Sequence, residues 1–367
     1  MNPDTGSATA SITRFRYVDI SCLSRDGLQS PETIPEIARE DAPSRAQRLI
    51  KEGDSLVSTV RPERGARGRA PSVLDGHVAS SGICVLRPKE IGDASYIYAT
   101  IRSEEFTEWC VGRETGTSYP AVSSADIGNF PLLIPPADVR ERIGATIDAV
   151  DAAIDARSSF EKLLLDYGLA VFDAALEAGE PRVLRVGDAA DFSNSSRIPL
   201  SQMERDKRPG QYPYYGATGV FGSVDGYLFD GLYLLVGEDG SVMEDDGTPV
   251  LQIANGKFWV NNHAHVLSGK GIPTEALWFA LRNLAVDPAV TGAVQPKLSK
   301  GRLSALELIY PGDATGFEAV ATACISNVLS CRAERENLLA LRTFLLPRLL
   351  SGELVVDAGA DELEEVS

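Results

Sequence analysis

Pro135 to Gly179 reads PPADVRERIGATIDAVDAAIDARSSFEKLLLDYGLAVFDAALEAG. Ile143, Ile147, Val150 and Ile154 recur at steps of four, three and four, the spacing that lines apolar groups along one seam of a helix. A second seam, Phe160, Leu164, Tyr167 and Val171, follows after a longer step, so the stripe rotates partway along. A helix of roughly 40 residues spans about 60 Å, longer than most compact domains are wide. This spacing predicts a spacer rather than an ordinary surface helix. The chain repeats the device from Asp313 to Leu350, where Phe317, Ala321, Cys324, Val328, Cys331, Leu338 and Leu345 hold a heptad register that Arg335 and Arg342 weaken locally.

Two long helices, each after a globular-looking stretch, suggest a duplication, and an offset of 176 tests it. At that offset Thr115-Gly116 falls on Thr291-Gly292, Pro120 on Pro296, Val122-Ser123 on Leu298-Ser299, Ile127 on Leu303 and Pro135 on Pro311. Arg157, Glu161, Leu163 and Leu164 fall on Arg332, Glu336, Leu338 and Leu339 after a one-residue slip. Gly53 falls on Gly231 at 178, so the match reaches back into the globular parts.

With 367 residues, 44% of them hydrophobic, the chain is long enough for two cores and their connections. It contains no long apolar run, and MNPDTGSATA lacks the regions of a signal peptide, so a soluble cytoplasmic protein is expected. Cys22, Cys84, Cys110, Cys324 and Cys331 form no CxxC pair and no ligand cluster with the histidines; buried thiols are expected. The net charge of −17 argues against a nucleic-acid partner until it is divided by segment. Residues 11–136 and 181–312 each carry −2, whereas 137–180 and 313–367 each carry −6. The acidity belongs to the spacers and to the DAGADELEEVS tail, which is expected to be disordered.

The first globular stretch opens with RFRYVDI, a strand candidate, then a turn or short helix through Ile50 and a buried strand Ser55 to Val60. Arg61, Arg64, Arg67 and Arg69 follow in what reads as a glycine-broken loop. Guanidinium forks suit both phosphate and guanine, although a merely solvated charged loop is an equal reading of the same residues. Strand candidates near Gly82 to Leu86 and Phe130 to Ile134 flank a helix from Ala94 to Cys110. The second stretch is dense in glycine and tyrosine but has neither GxGxxG nor GxxxxGK[ST]. GKFWVNNHAHVL reads as a strand whose His263 and His265 lack a third metal ligand nearby.

PYYGATGVFGSVDGYLFDGLYLLVGEDGS, GKFWVNNHAHVL, QPKLS and the closing LLPRLLSGEL together resemble the specificity subunit of type I restriction-modification systems. YVDI, APSRA and GDSLVSTVRP are similar to another target-recognition domain type of that family, so the resemblance runs from about Ile12 to Leu354. It implies a mixed α+β fold: two globular target-recognition domains separated by two long antiparallel coiled-coil helices, with a pseudo-twofold internal repeat. The expected boundaries are 1–136 and 181–312 for the domains, 137–180 and 313–354 for the helices, and 355–367 for the tail. It further implies that each domain reads one half of a bipartite double-stranded DNA target. The helices would set the spacing and dock two modification subunits, which supply S-adenosylmethionine and methylate adenine, while restriction and translocase subunits complete the complex.

On this reading the chain is non-catalytic, needs no cofactor or metal of its own and meets no membrane. The DNA-facing candidates are Arg61, Arg64, Arg67 and Arg69 in the first domain, and Tyr214, Tyr215, Lys297, Lys300 and Arg302 in the second. The partner-docking candidates are Ile143, Ile147, Val150, Ile154, Cys324, Val328, Leu338 and Leu345. One departure from the family is that VLRVGDAADF opens the second domain, whereas DTGSATASIT in the first has no comparable strand. Two other classes compete. An acidic adaptor that never touches DNA would fit the net charge. A metal-dependent nuclease would use Asp245, Asp246 and Lys257, but its middle carboxylate is replaced by Gln252.

Overall fold

The computed structural model of the chain describes residues 1–3, 13–292 and 294–356. The N-terminal departure at residues 4–12 and the acidic tail from 357 onward lie outside the described residues. The chain forms two compact units: Met1–Asp155 with Glu336–Ser367, and Ala156–Arg335. Both predicted helices exist, as Ala137–Glu177 and Thr315–Ser351, and each contributes one part to each unit. The fold is mixed, with sheets in both units and the long helices following them.

Unit one is built on an antiparallel three-stranded sheet ordered Arg67–Arg69, Ser55–Ser58, Ile83–Leu86, and a four-stranded sheet ordered Glu36–Ala38, Arg14–Val18, Val78–Ser80, Ala46–Leu49. Leu56, Ile83 and Val85, all fully buried, join Val18, Ile50 and Leu74 in its core. Ile50 follows a strand rather than a helix. The helix read from Ala94 to Cys110 is two, Ala94–Ile101 and Glu104–Val111, because the Ser103 side chain accepts the Phe106 amide and starts a new helix there. Phe130 to Ile134 forms no strand, and Leu133 and Ile134 stay exposed.

Unit two has the sheets Val220–Val224, Tyr212–Tyr215, Lys257–Val260, Phe229–Asp230, and Leu251–Ala254, Tyr233–Gly237, Ala264–Gly269, Ala190–Phe192, with a two-stranded pair Arg182–Arg185 and Glu307–Tyr310. The strand read through GKFWVNNHAHVL is broken at Asn261, so its halves enter different sheets.

The duplication is visible strand by strand. Leu56 pairs with Val85 and Val57 with Cys84 in unit one; Leu235 pairs with Val266 and Val236 with His265 in unit two. On the other edge Val57 faces Arg67 and Val236 faces Leu251. A one-residue slip would turn every side chain to the opposite face, so two sheets in the same register carry the same inside and outside. Ser123 and Ser299, matched by the 176 offset, both cap short helices by accepting amides, those of Asp126 and Arg302.

The helical seams close within each unit. In unit one Ile143 and Ile147 pack with Tyr96, Ala99, Leu346 and Leu349. In unit two Phe172 meets Phe317 edge-on at 5.1 Å, beside buried Ala321, Cys324 and Val328. Glu161 pairs with Arg332 at 2.7 Å, so in this unit the helices run antiparallel. Burying a large apolar side chain contributes about 1.5–3 kcal/mol, which makes these seams the main hold on the helices. The two glycines inside the first helix are sites of close approach. A Cβ at Gly144 would lie 2.7 Å from Ser95, and one at Gly168 would run into the Phe279 ring.

Candidate nucleic-acid interface

The predicted basic loop is split by the fold. Arg67–Arg69 is a strand paired with Ser55–Val57, and the alternation of a strand turns Arg67 and Arg69 to one face. Gly68 faces the other way, where a Cβ would lie 2.8 Å from Leu28. Arg67 is therefore buried at 5% exposure, donating to the Ile101 carbonyl at 2.6 Å and to Thr107 Oγ1 at 3.3 Å. Burial, with the charges of Arg102 and Arg25, pulls its pKa down to about 10, so the group stays charged at neutral pH. Arg69 donates to Ser95 and to Asp148 of the first long helix. Neither is a free DNA contact: Arg67 is shut in, and the Arg69 charge is neutralised by Asp148. Arg61 precedes the short turn Pro62–Arg64 and is half-buried, and Arg64 ends it and is exposed.

In unit two Tyr214 is fully buried, its hydroxyl accepting from the Leu200 amide at 2.9 Å, so it supports the sheet rather than facing a ligand. Tyr215 is half-buried, edge-on to Phe258 at 5.5 Å. Lys297 is exposed but paired with Asp239 at 2.9 Å, and its hydrogen bond and charge hold the ammonium above the ordinary lysine range. Lys300 lies 5.3 Å from the Phe192 ring, and Arg302 is exposed on the helix Lys300–Ala305. Lys297, Lys300 and Arg302 stay within one loop and helix, whereas Tyr214 and Tyr215 belong to the sheet strand Tyr212–Tyr215.

A second cationic and aromatic surface went unread in the sequence. It surrounds the sheet that contains Tyr212–Tyr215. Arg205 lies over the Tyr214 ring at 4.8 Å, Arg208 over Trp259 at 4.9 Å, and Lys257 over Tyr227 at 4.7 Å. Lys207 and Phe221 are exposed between them in sequence, and Gln252 holds the glycine-rich turn by donating to the Gly216 and Ala217 carbonyls. The RDKR run, 205–208, was the available signal. The Tyr214 and Trp259 rings are buried and Arg208 also pairs with Asp225 at 2.8 Å, so these rings anchor the arginines rather than stack bases, and what this surface offers a nucleic acid is positive charge for phosphate, foremost at exposed Lys207.

Asp246 and Lys257 of the nuclease reading are engaged with other groups: Asp246 accepts from Thr248 and pairs with Arg282, while Lys257 is engaged with Tyr227. Among the described residues no group of three or more His, Cys, Asp or Glu could hold a metal ion. His265 is fully buried; its Nδ1 meets the Asn194 amide at 2.8 Å and its Nε2 donates to the Leu298 carbonyl at 2.7 Å. Burial lowers its pKa, and neutral imidazole with a fixed tautomer is its ground state. The five cysteines are free and buried, and burial pushes the Cys110 thiol up to about 11. Among the described residues no helix is long and apolar enough to cross a membrane.

The docking assignment requires correction. Ile143, Ile147, Val150, Ile154, Cys324 and Val328 are buried within this chain, and Leu338 and Leu345 are half-buried. They form the internal seams. The apolar side chains left outward on the helices are Phe160, Leu163 and Tyr167 in unit two, and Leu341 and Phe344 in unit one.

Residues 180–316 match the family model of the type I restriction modification DNA specificity domain. A curated type I restriction enzyme specificity subunit from Haemophilus influenzae is 34% identical over 137 residues, which are 37% of this chain and 34% of that protein. The HindI specificity subunit of the same organism is 23% identical over 45% of this chain and 37% of its own length. Each match thus spans about a third of the curated relative. A solved S subunit of a type I restriction-modification system from M. genitalium shares the fold at TM-score 0.53 and 14% identity, covering 92% of this chain and 88% of that one.

Proposed function

Since its second unit carries a type I restriction-modification DNA specificity domain, we propose that the whole chain is the sequence-reading subunit of such a complex. Each unit reads one half of a bipartite duplex target, the paired helices fix the separation of the halves, and modification subunits bound to the helices methylate adenine from S-adenosylmethionine. The observation that carries this reading is the in-register duplication: a sheet proper to the specificity domain recurs, pair for pair, in the unit outside the family match. A chain with two versions of one recognition module has the means to read two words.

The chain supplies geometry and the partners supply bond-making. The modification subunits meet the outward Phe160, Leu163 and Tyr167 faces, whose acidic surroundings suit a basic partner. Co-expression with the modification subunits, followed by mapping of methylated adenines on a plasmid library, tests the proposal. A motif of two short words separated by a fixed gap is expected. Methylation without such a motif, or unchanged when this chain is left out, defeats it.

A further inference from the structure

Both units carry the same surface loop. Thr115 and Ala121 exchange backbone hydrogen bonds of 2.8 and 3.0 Å, and Thr291 and Lys297 exchange theirs at 2.9 and 2.7 Å. Each threonine is followed by a glycine at positive φ, 91° at Gly116 and 87° at Gly292. Each loop is held by the neighbouring chain in the same manner. The Arg61 amide donates to the Pro120 carbonyl at 2.7 Å, and the Gly240 amide donates to the Pro296 carbonyl at 2.9 Å. Both of these residues are left-handed, with φ of 52° at Arg61 and 85° at Gly240.

Arg61 and Gly240 are thus one position of the fold, filled differently in the two units. Glycine adopts this conformation freely, whereas a side chain there is strained. The hydrogen bond does not ask for arginine, since Gly240 makes the same one. The guanidinium forms no ion pair among the described residues; it lies 5.6 Å from the centre of the Tyr119 ring. Tyr119 is itself 73% exposed at the tip of the loop, and the offset match puts Gln295 in its place in unit two. A strained backbone that presents an unpaired fork beside an open aromatic ring is not repaid inside the molecule.

We propose that Arg61 and Tyr119 form a base-reading pair that determines one position of the half-target read by unit one. Arg61 donates both arms of its fork to the O6 and N7 of a guanine in the major groove, and Tyr119 holds the plane of the guanidinium from the side. The same place in unit two, without a cation at Gly240, reads its half-target by other groups. This inference rests on the DNA-recognition reading above.

The test uses the full chain in complex with its modification subunits, selecting from a pool of randomised duplexes. Arg61→Gly installs the residue of the sister unit and relieves the positive φ, so folding is retained, with a melting temperature equal to or above that of the parent. Expected are a roughly 5- to 150-fold loss of preference for guanine at one position of one half-target, and an unchanged second half. Arg61→Lys, which keeps charge without the fork, fails to restore it, and Tyr119→Ala weakens the same position. Retained preference in both Arg61→Gly and Tyr119→Ala overturns the pair, as does a loss spread evenly over all sequences. A parent complex that selects no two-part motif sinks the DNA-recognition reading itself, and is told apart by being seen before any variant is compared.

Discussion

Asp151 on the first long helix accepts a 3.0 Å hydrogen bond from Arg342 on the second, and both of its oxygens accept from Arg102, which follows the helix Ala94–Ile101. One carboxylate therefore ties both helical pieces of unit one to the globular part of that unit. Arg102 is 7% exposed and Asp151 and Arg342 about a fifth, so solvent screens this triad far less than a surface pair.

Asp151→Asn keeps the shape and leaves two guanidinium groups short of a counter-charge. Breaking buried pairs of this sort costs about 3 kcal/mol. Burial works against the Asp151 charge, but the hydrogen bond and charge of Arg102, then those of Arg342, outweigh it and hold the pKa below the ordinary carboxylate range. The folded value being the lower one, the stabilisation is complete above the unfolded pKa of about 4 and is lost as pH falls through the folded value. Melting temperatures of parent and variant should differ at pH 7 and converge in acid. A gap that ignores pH would mean that packing, not charge, is what the substitution removes.

Arg67 gives a prediction of the opposite sign. Its repeat counterpart Leu251 faces Val236 as Arg67 faces Val57, and its Nε is buried with no hydrogen-bond partner. Replacing a poorly compensated buried charge with an apolar group of similar length is commonly neutral or stabilising. Arg67→Met should raise stability by about 1 kcal/mol in a denaturant titration while DNA affinity stays unchanged. Loss of DNA binding in a folded Arg67→Met protein would return this residue to the interface.

What was legible in the sequence and what was not divide along physical lines. The seam Ile143, Ile147, Val150, Ile154 and the repeat at 176 depend on local spacing and on order along the chain, and both survive into the structure. The role of that seam did not follow, because an apolar stripe does not say whether its cover is the same chain or another one. Arg67 and Arg69 looked like loop residues since Gly65 precedes them and Gly68 separates them; Gly68 is there instead because the strand passes against Leu28. Lys207 became a candidate only when folding laid Arg205 and Arg208 over the buried Tyr214 and Trp259 rings and left the lysine exposed between them.

Gly168 tests the packing of unit two. It lies on the first long helix, where glycine costs about 1 kcal/mol relative to alanine, yet a Cβ there would overlap the buried Phe279 ring. Gly168→Ala should therefore destabilise by about 1–3 kcal/mol despite its better helix propensity. Phe279→Leu in the same chain should recover part of the loss. Stabilisation by Gly168→Ala alone would show that the ring moves aside freely.

Lys207 and Lys297 separate the two cationic surfaces of unit two. Lys297 already spends its charge on Asp239 at 2.9 Å, whereas Lys207 is exposed and makes no ion pair among the described residues. A lysine that meets phosphate releases counterions, so its removal weakens binding to all sequences alike and lowers the slope of log affinity against log salt by about 1. Lys207→Ala should show that change, and Lys297→Ala a smaller one, when duplex binding by the assembled complex is followed from about 50 to 200 mM salt. Should Lys297→Ala carry the larger loss of slope, the DNA path in unit two runs over the loop that closes at Thr291 and Lys297 rather than over the sheet containing Tyr214.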